Sequence, residues 1–202
     1  QREGLDVIEV NTNELKVLEP HVKLEAKGAT YFKCDSHSTP DEFMSDMKTY
    51  LKGVGVQIYP NEKVEDLEVK NGKVTTIKTN NQILKADEFV LAAGSWSSLL
   101  GKKLGLKLLL QAGKGYRINS NQNTGITIPA ILAEAKVAVT PMHGFTRFAG
   151  TMEIAGINHD IRKERVQAIA NAVSRYYPEI SLTSEEKSQA ACGLRPVSPD
   201  GL

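Results

Sequence analysis

Cysteine, long apolar runs and blocks of one charge sign are all scarce in this sequence. Its two cysteines, Cys34 and Cys192, have neither CxxC nor Cys/His spacing, which excludes the common zinc and redox motifs. No apolar stretch approaches the roughly 18 residues of a membrane-spanning helix. The 25 basic and 24 acidic residues are intermixed and leave a net charge of +1, so we expect no nucleic-acid partner. We predict a globular protein in which both cysteines are small core residues.

Signature motifs of catalysis are also missing. The sequence contains no GxSxG, Walker or GxGxxG pattern, so the usual evidence for a hydrolase, an NTPase or a self-sufficient dinucleotide fold is absent. The four histidines lie far apart and none has a second ligand at helical spacing, which argues against a metal site. No catalytic nucleophile can therefore be identified from sequence motifs alone.

The length and the ends of the chain indicate a piece of a longer protein. Its 202 residues suffice for one large domain or two small ones. The chain begins without Met and stops at Pro199-Asp200-Gly201-Leu202, with neither a helix cap nor a polar tail. We therefore expect targeting signals, if any, to lie outside it.

The first half of the chain predicts alternating helix and strand. A capping box with Pro at N1 starts a helix over residues 39–53, and an apolar run predicts a buried strand over 54–59. Asn71-Gly72 is typical of a type I′ turn and predicts a three-stranded antiparallel meander over residues 62–86. Residues 87–94 read as a buried strand that ends on glycine.

The second half predicts an antiparallel sheet and one long helix. Alternating or apolar segments separated by turn residues predict strands, and one apolar stripe followed by Pro178 predicts the helix. A short helix is expected within 97–110, extended chain at 111–118, strands at 125–133, 135–141 and 146–156, the long helix at 160–177, and extended chain again through 193–196.

Two glycine-containing segments are candidate ligand contacts. Small residues at 92–94 would let backbone amides approach a flat or phosphorylated ligand, although spacing alone favours a tight strand-to-loop turn with Trp96 as core filler. Gly113-Lys114-Gly115-Tyr116 fits either a loop across a ligand or a strand bulge.

Arg195 is the most informative single residue. It stands in an uncharged stretch, residues 190–199, where a buried guanidinium would need an anion such as a substrate carboxylate. An internal salt bridge is the alternative. Arg147 alternates with aromatic residues, and we interpret it as a solvated cation on a strand face.

At these residues the sequence resembles the FAD-dependent D-amino-acid oxidase superfamily, in particular its D-amino-acid dehydrogenase and glycine oxidase branch. The similarity lies in five ordered segments: the "LEP" entry at 15–20, the stretch at 35–40, "VLAAGSWS" at 90–97, "KGY" at 114–116, and "GLRP" with "PDG" at 193–201. The family's N-terminal GxGxxG unit and its C-terminal glycine-rich FAD segment have no counterpart here.

The resemblance implies roles for individual positions. Arg195 matches the arginine that holds the substrate carboxylate, and Tyr116 belongs to the same substrate side. The implied cofactor-binding positions are Val64, Ala93, Gly94, Trp96, Gly201 and Leu202. FAD is the implied cofactor of the full-length protein, and we expect the 202-residue chain alone to bind it weakly or not at all. No metal is implied.

The resemblance also implies an α+β fold, in which an antiparallel sheet substrate domain with helices accompanies an incomplete α/β remnant of an FAD domain. Residues 1–34 would enter the substrate domain, 35–100 form the partial FAD-binding domain, 101–192 the substrate-binding sheet, and 193–202 the return to the FAD domain.

The implied activity is oxidative deamination of a small-molecule amino acid, a D-amino acid or glycine-like amine, by hydride transfer to flavin. The alternatives are a 2-hydroxy-acid oxidoreductase of the same superfamily and a non-catalytic binding module derived from the substrate domain. We expect a cytoplasmic location, with a peripheral membrane contact as the alternative. The sequence fixes neither the oligomeric state nor the electron acceptor.

Overall fold

A computed structural model describes residues 4–200 of the chain. Contacts divide these residues into two compact units. The first, here called the sheet unit, contains residues 4–43, 115–153 and 159–193. The second, the meander unit, contains residues 44–114, 154–158 and 194–200. The fold mixes helices with antiparallel strands, which confirms the predicted α+β class.

The helices and strands have the following bounds in chain order. They are β1 (Val7–Asn11), α1 (Thr12–Leu18), β2 (Gly28–Phe32), α2 (Pro40–Gly53), β3 (Val64–Lys70), β4 (Lys73–Thr79), β5 (Ile83–Leu84), α3 (Ser97–Lys103), β6 (Gln111–Ser120), β7 (Ala130–Leu132), β8 (Val137–Met142), β9 (Phe145–Ile154), α4 (Lys163–Tyr176), α5 (Ser184–Ser188) and β10 (Ala191–Val197). A 3₁₀ turn over Gly94–Trp96 precedes α3.

A five-stranded sheet with strand order β10-β6-β9-β8-β7 underlies the sheet unit. The pairs β7–β8 and β8–β9 are antiparallel, as predicted. Alternate residues of the strands, such as Tyr116, Val139 and Phe148, join one hydrophobic core with Ile169 and Val173 of α4. Side chains of a strand point to opposite faces in turn. The other face, here called the open face, therefore carries the residues between them.

The predicted hairpin and the predicted long helices are confirmed. Strands β3, β4 and β5 form an antiparallel meander, and Asn71 and Gly72 both have positive φ, at 51° and 74°. A type I′ turn requires positive φ at both central positions, which is why the Asn-Gly pair was a reliable signal. Helices α2 and α4 occupy most of their predicted ranges.

Two predicted buried strands are wrong. Residues 54–59 and 87–93 contain no strand, and Val90 is 90% exposed. A β-strand exists only where a neighbouring strand accepts and donates its backbone hydrogen bonds. Within residues 4–200 neither segment has such a neighbour. Their apolar character is real, but the described part of the chain does not bury it.

Smaller corrections concern single residues and one helix. Cys34 is exposed and Cys192 is half-buried against the core, so only the second fits the predicted core role. Trp96 is 40% exposed and does not fill a core. Helix α5 was missed because its five residues show no apolar stripe. Its capping box of Thr183 and Glu186 was the available signal.

Candidate functional site

Arg195 lies in β10 and is exposed, so the expected burial of its guanidinium is wrong. Cys192 of the same strand packs against the core, and strand alternation puts Arg195 on the opposite face of β10. Among residues 4–200, no carboxylate forms an ion pair with it. The internal salt bridge that was the alternative explanation is therefore absent from the described chain.

Tyr116 is buried on the core face of β6, with only 1% of its surface exposed. Its hydroxyl donates a 2.7 Å hydrogen bond to Oε1 of Glu153. The Glu153 side chain, 7% exposed, also lies 3.2 Å from Nη1 of Arg162 and 3.6 Å from Nε of Arg165. Sequence reasoning missed Glu153, whose place in β9 gave no motif. The tyrosine is thus fixed by a buried carboxylate within the sheet unit.

Lys114, beside Tyr116 in the sequence, is the most deeply buried cation described. It is 1% exposed, and its Nζ lies 2.6 Å from Oδ1 of Asn158, which belongs to the same meander unit. Asn158 in turn donates to the carbonyl of Ala155 at 2.7 Å. The glycines that flank Lys114 lie within the continuous strand β6 rather than in a loop. A buried ammonium needs such oxygen partners, because desolvation is costly.

Arg147 in β9 was expected to be solvated, and this prediction is wrong. Its side chain is only 15% exposed, its Nε donates to Oδ1 of Asn119 at 3.1 Å, and its Nη2 lies 3.6 Å from Asp41. Burial and the nearby charge of Arg117 lower the pKa of the Arg147 guanidinium, while Asp41 acts in the opposite direction. The sequence spacing correctly predicted that Arg147 lies on one face of a strand, but it did not predict that Asn119 and Asp41 lie beside it.

The segment around Gly94 combines small residues with an orphaned polar atom. Gly94 has φ of 54°, a backbone conformation that favours glycine, and a Cβ there would meet nothing within 4 Å. The backbone N–H of Trp96 donates to the Ala93 carbonyl at 3.0 Å. The Ser95 hydroxyl is buried and has no hydrogen-bond partner among residues 4–200. A buried hydroxyl without a described partner therefore lies beside an open stretch of backbone.

The other predicted cofactor positions are less informative. Val64 is the first residue of β3 and is half-buried. Gly201 and Leu202 lie outside the described residues. Ala93, Gly94, Trp96 and Val64 all belong to the meander unit.

A separate cavity of about 830 Å³ opens in the sheet unit, and none of the predicted site residues line it. Its walls include His21, Thr124, Phe145 and Ile180. No group of three metal-ligating side chains occurs in residues 4–200. Over the same range no helix is both long and apolar enough to cross a membrane.

The whole chain, residues 1–202, matches the DAO family model, which is described as FAD dependent oxidoreductase. The chain belongs to this family. Among curated proteins it is 30% identical to a D-amino acid dehydrogenase of Vibrio atlanticus over 89% of its length, and 27% identical to one of Paramagnetospirillum magneticum over 100%. It spans 43% and 49% of those two proteins, which is less than half of each.

Solved structures show the same fold. The glycine oxidase of Geobacillus kaustophilus superimposes with a TM-score of 0.83 at 19% identity, covering 100% of this chain and 54% of the oxidase. The L-proline dehydrogenase of P. horikoshii gives a TM-score of 0.80 at 18% identity, covering 98% of this chain and 55% of that protein. This chain therefore shares its α+β fold with these two solved structures.

Proposed function

We propose that the protein containing this chain oxidatively deaminates an amino acid, a D-amino acid or glycine-like amine, and that this chain supplies its substrate side. The observation that carries the proposal is Arg195. It is a cation without a carboxylate partner in the described chain, and it lies in the "GLRP" segment. Relatives named D-amino acid dehydrogenase support the choice of substrate.

In this proposal Arg195 binds the substrate α-carboxylate through its planar fork, which matches two carboxylate oxygens at once. Holding that end of the substrate fixes the direction of its Cα–H bond. Tyr116 supports the substrate side through β6, where Glu153 fixes its hydroxyl. FAD, when bound, would supply the acceptor for the Cα hydride; the amine nitrogen would lose a proton to give the imino acid, and water would then release ammonia from it.

Residues Val64, Ala93, Gly94 and Trp96 would hold part of the FAD, together with Gly201 and Leu202. The fit rests on the open backbone at Gly94 and the unsatisfied Ser95 hydroxyl beside it. We retain residues 35–100 and 193–202 as parts of the FAD domain, 1–34 as the entry segment and 101–192 as the substrate domain.

Two experiments test this proposal. The longer protein, loaded with FAD, is assayed with an artificial electron acceptor against D-amino acids, L-amino acids and 2-hydroxy acids. Turnover of amino acids is expected, whereas turnover of 2-hydroxy acids alone would replace the proposed reaction. FAD is also titrated into residues 1–202, where weak or no binding is expected. Tight stoichiometric binding would contradict the view that the chain holds only part of the cofactor site.

A further inference from the structure

Four leucines in and directly after α3 are exposed together in the meander unit. Leu99 lies in the helix, and Leu106, Leu108 and Leu109 follow it. Each of the four is between 37% and 61% exposed. We call these four residues the leucine patch. A protein that exposes several large apolar side chains side by side usually binds another surface with them.

Backbone and side-chain contacts fold the segment after α3 back against the helix. The N–H of Leu106 donates to the Gly101 carbonyl at 2.9 Å. A Cβ at Gly101 would lie 2.9 Å from Cδ1 of Leu108 and 3.6 Å from Cβ of Leu106. The glycine thus allows the two leucines to approach the helix that carries Leu99. This packing makes the leucine patch one local surface of the meander unit.

Three exposed lysines flank the leucine patch. Lys102 and Lys103 lie three and four residues after Leu99, so they neighbour it on the helix surface. Lys107 lies within the segment that folds back. Lys103 pairs with Asp66 at 2.9 Å. Lys102 and Lys107 form no ion pair within residues 4–200, so their charges are available to an anionic partner.

The wider charge distribution also favours an anionic partner. Residues 89–133 contain neither Asp nor Glu. Residues 44–114, the main part of the meander unit, contain eleven lysines against seven acidic residues. The electrostatic potential around the leucine patch is therefore expected to be positive.

The residue types favour a lipid surface over a protein partner. Residues 99–109 contain leucine and lysine but neither aromatic residues nor arginine. Protein interfaces depend on Trp, Tyr and Arg, and lysine is depleted in them. At a bilayer, by contrast, leucine side chains enter the boundary of the acyl chains, while lysine ammonium groups stay among the headgroup phosphates.

We propose that the leucine patch, together with Lys102 and Lys107, is a docking surface for an anionic lipid bilayer. The contact is peripheral: apolar side chains are inserted to a shallow depth and the lysines hold the headgroups. It assigns an additional interaction to this protein and does not depend on the proposed deamination.

Vesicle co-sedimentation of the FAD-loaded longer protein tests the proposal. One set of vesicles contains phosphatidylcholine alone, and the other contains equal parts of phosphatidylcholine and phosphatidylglycerol. We expect at least about tenfold tighter binding to the mixed vesicles, because each unpaired lysine near an anionic surface contributes about fivefold. Binding should weaken as the salt concentration rises. The measurement needs no turnover, so its outcome is independent of the proposed reaction.

Matched variants assign the binding to this surface. Leu109→Ser and Lys107→Gln should each weaken binding to the mixed vesicles about fivefold. Ile131→Ser removes an exposed apolar side chain from β7 of the sheet unit, and Lys73→Gln removes a charge beside the Asn-Gly turn. Both control variants should bind as the native protein does.

Hydrogen exchange at the amides of residues 107–110 is the second readout. Exchange should be fast in the free longer protein and slower on the mixed vesicles. Slow exchange without vesicles would show that another part of the longer protein covers the leucine patch, which would overturn the proposal. No binding to the mixed vesicles, equal binding to both kinds of vesicle, or equal losses in the control variants would also overturn it.

Discussion

Glu19 holds together two parts of the sheet unit that are far apart in sequence, and replacing it with Gln should be strongly destabilising. The residue follows α1 and is only 7% exposed. Its carboxylate accepts hydrogen bonds from the backbone N–H and the hydroxyl of Thr127 at 3.0 to 3.1 Å, and from the N–H of Ile128. Gly125 begins this loop with φ of 71°, and a Cβ there would lie 2.5 Å from the His21 carbonyl.

The expected magnitude follows from these bonds. In Glu19→Gln one carboxylate oxygen becomes an NH₂ group, which cannot accept and would face a backbone N–H. If the amide oxygen takes the Oε1 position, it still accepts from both backbone N–H groups, but the NH₂ group then faces the N–H of Thr127, and the remaining bonds lose their charge assistance. We expect the free energy of unfolding to fall by about 1 to 3 kcal/mol.

Urea unfolding followed by circular dichroism measures this change. Glu25→Gln is the matched control, because Glu25 pairs with Lys23 only at the surface and the loss should stay within about 0.5 kcal/mol. Hydrogen exchange should accelerate at the Thr127 and Ile128 amides of Glu19→Gln. A loss below about 0.5 kcal/mol with unchanged exchange would refute the reasoning.

Three further predictions use other buried groups. Burial, followed by the charge of Glu19, raises the pKa of Tyr177 from 10.0 to about 12, so the unfolded chain loses its phenolic proton at lower pH than the folded chain. Up to about 3 kcal/mol of the free energy of unfolding, fully present below pH 10, should therefore be lost between about pH 10 and 12. Urea unfolding of Tyr177→Phe should not show this loss. Ser95→Ala should leave the free energy of unfolding unchanged or raise it by about 1 kcal/mol, because the Ser95 hydroxyl has no described partner. Ser120→Ala should lower it by about 1 to 2 kcal/mol, because the Ser120 hydroxyl donates to Glu186 at 2.6 Å. Equal losses in the two thermal unfolding curves would contradict this difference. A Cβ at Gly150 would lie 2.6 Å from the Lys136 carbonyl, so Gly150→Ala should cost about 1 to 3 kcal/mol in chemical denaturation, while Gly115→Ala, where a Cβ meets nothing within 4 Å, should cost less than about 1 kcal/mol.

Local signals in the sequence predicted local structure well. The Asn71-Gly72 turn needs only positive φ at two adjacent residues, and the α4 stripe needs only a periodic apolar face. Residues 54–59 and 87–93 carried an equally clear apolar pattern but form no strand in the described chain. A strand depends on distant partners, and the pattern of one segment contains no information about whether its partner is present.

At the candidate site, too, the sequence predicted local features but not the contacts between distant residues. Arg147 was correctly placed on a strand face, but its burial depends on Asn119 and Asp41, which no spacing rule connects to it. Glu153 and the orphaned Ser95 hydroxyl were not predicted, because burial of a polar group is a property of the packed unit. The roles of Arg195 and Tyr116 stay predictions until substrate is present.

Arg195 is proposed to recognise the carboxylate of an amino acid in a flavoenzyme. The most direct measurement is kcat/KM of the FAD-loaded longer protein for an amino acid and for the amine that lacks its carboxylate, each with the native protein and with Arg195→Leu. The native protein should prefer the amino acid, and Arg195→Leu should lose at least about tenfold of that preference, mainly through KM. An unchanged preference for the carboxylate in Arg195→Leu would contradict the account.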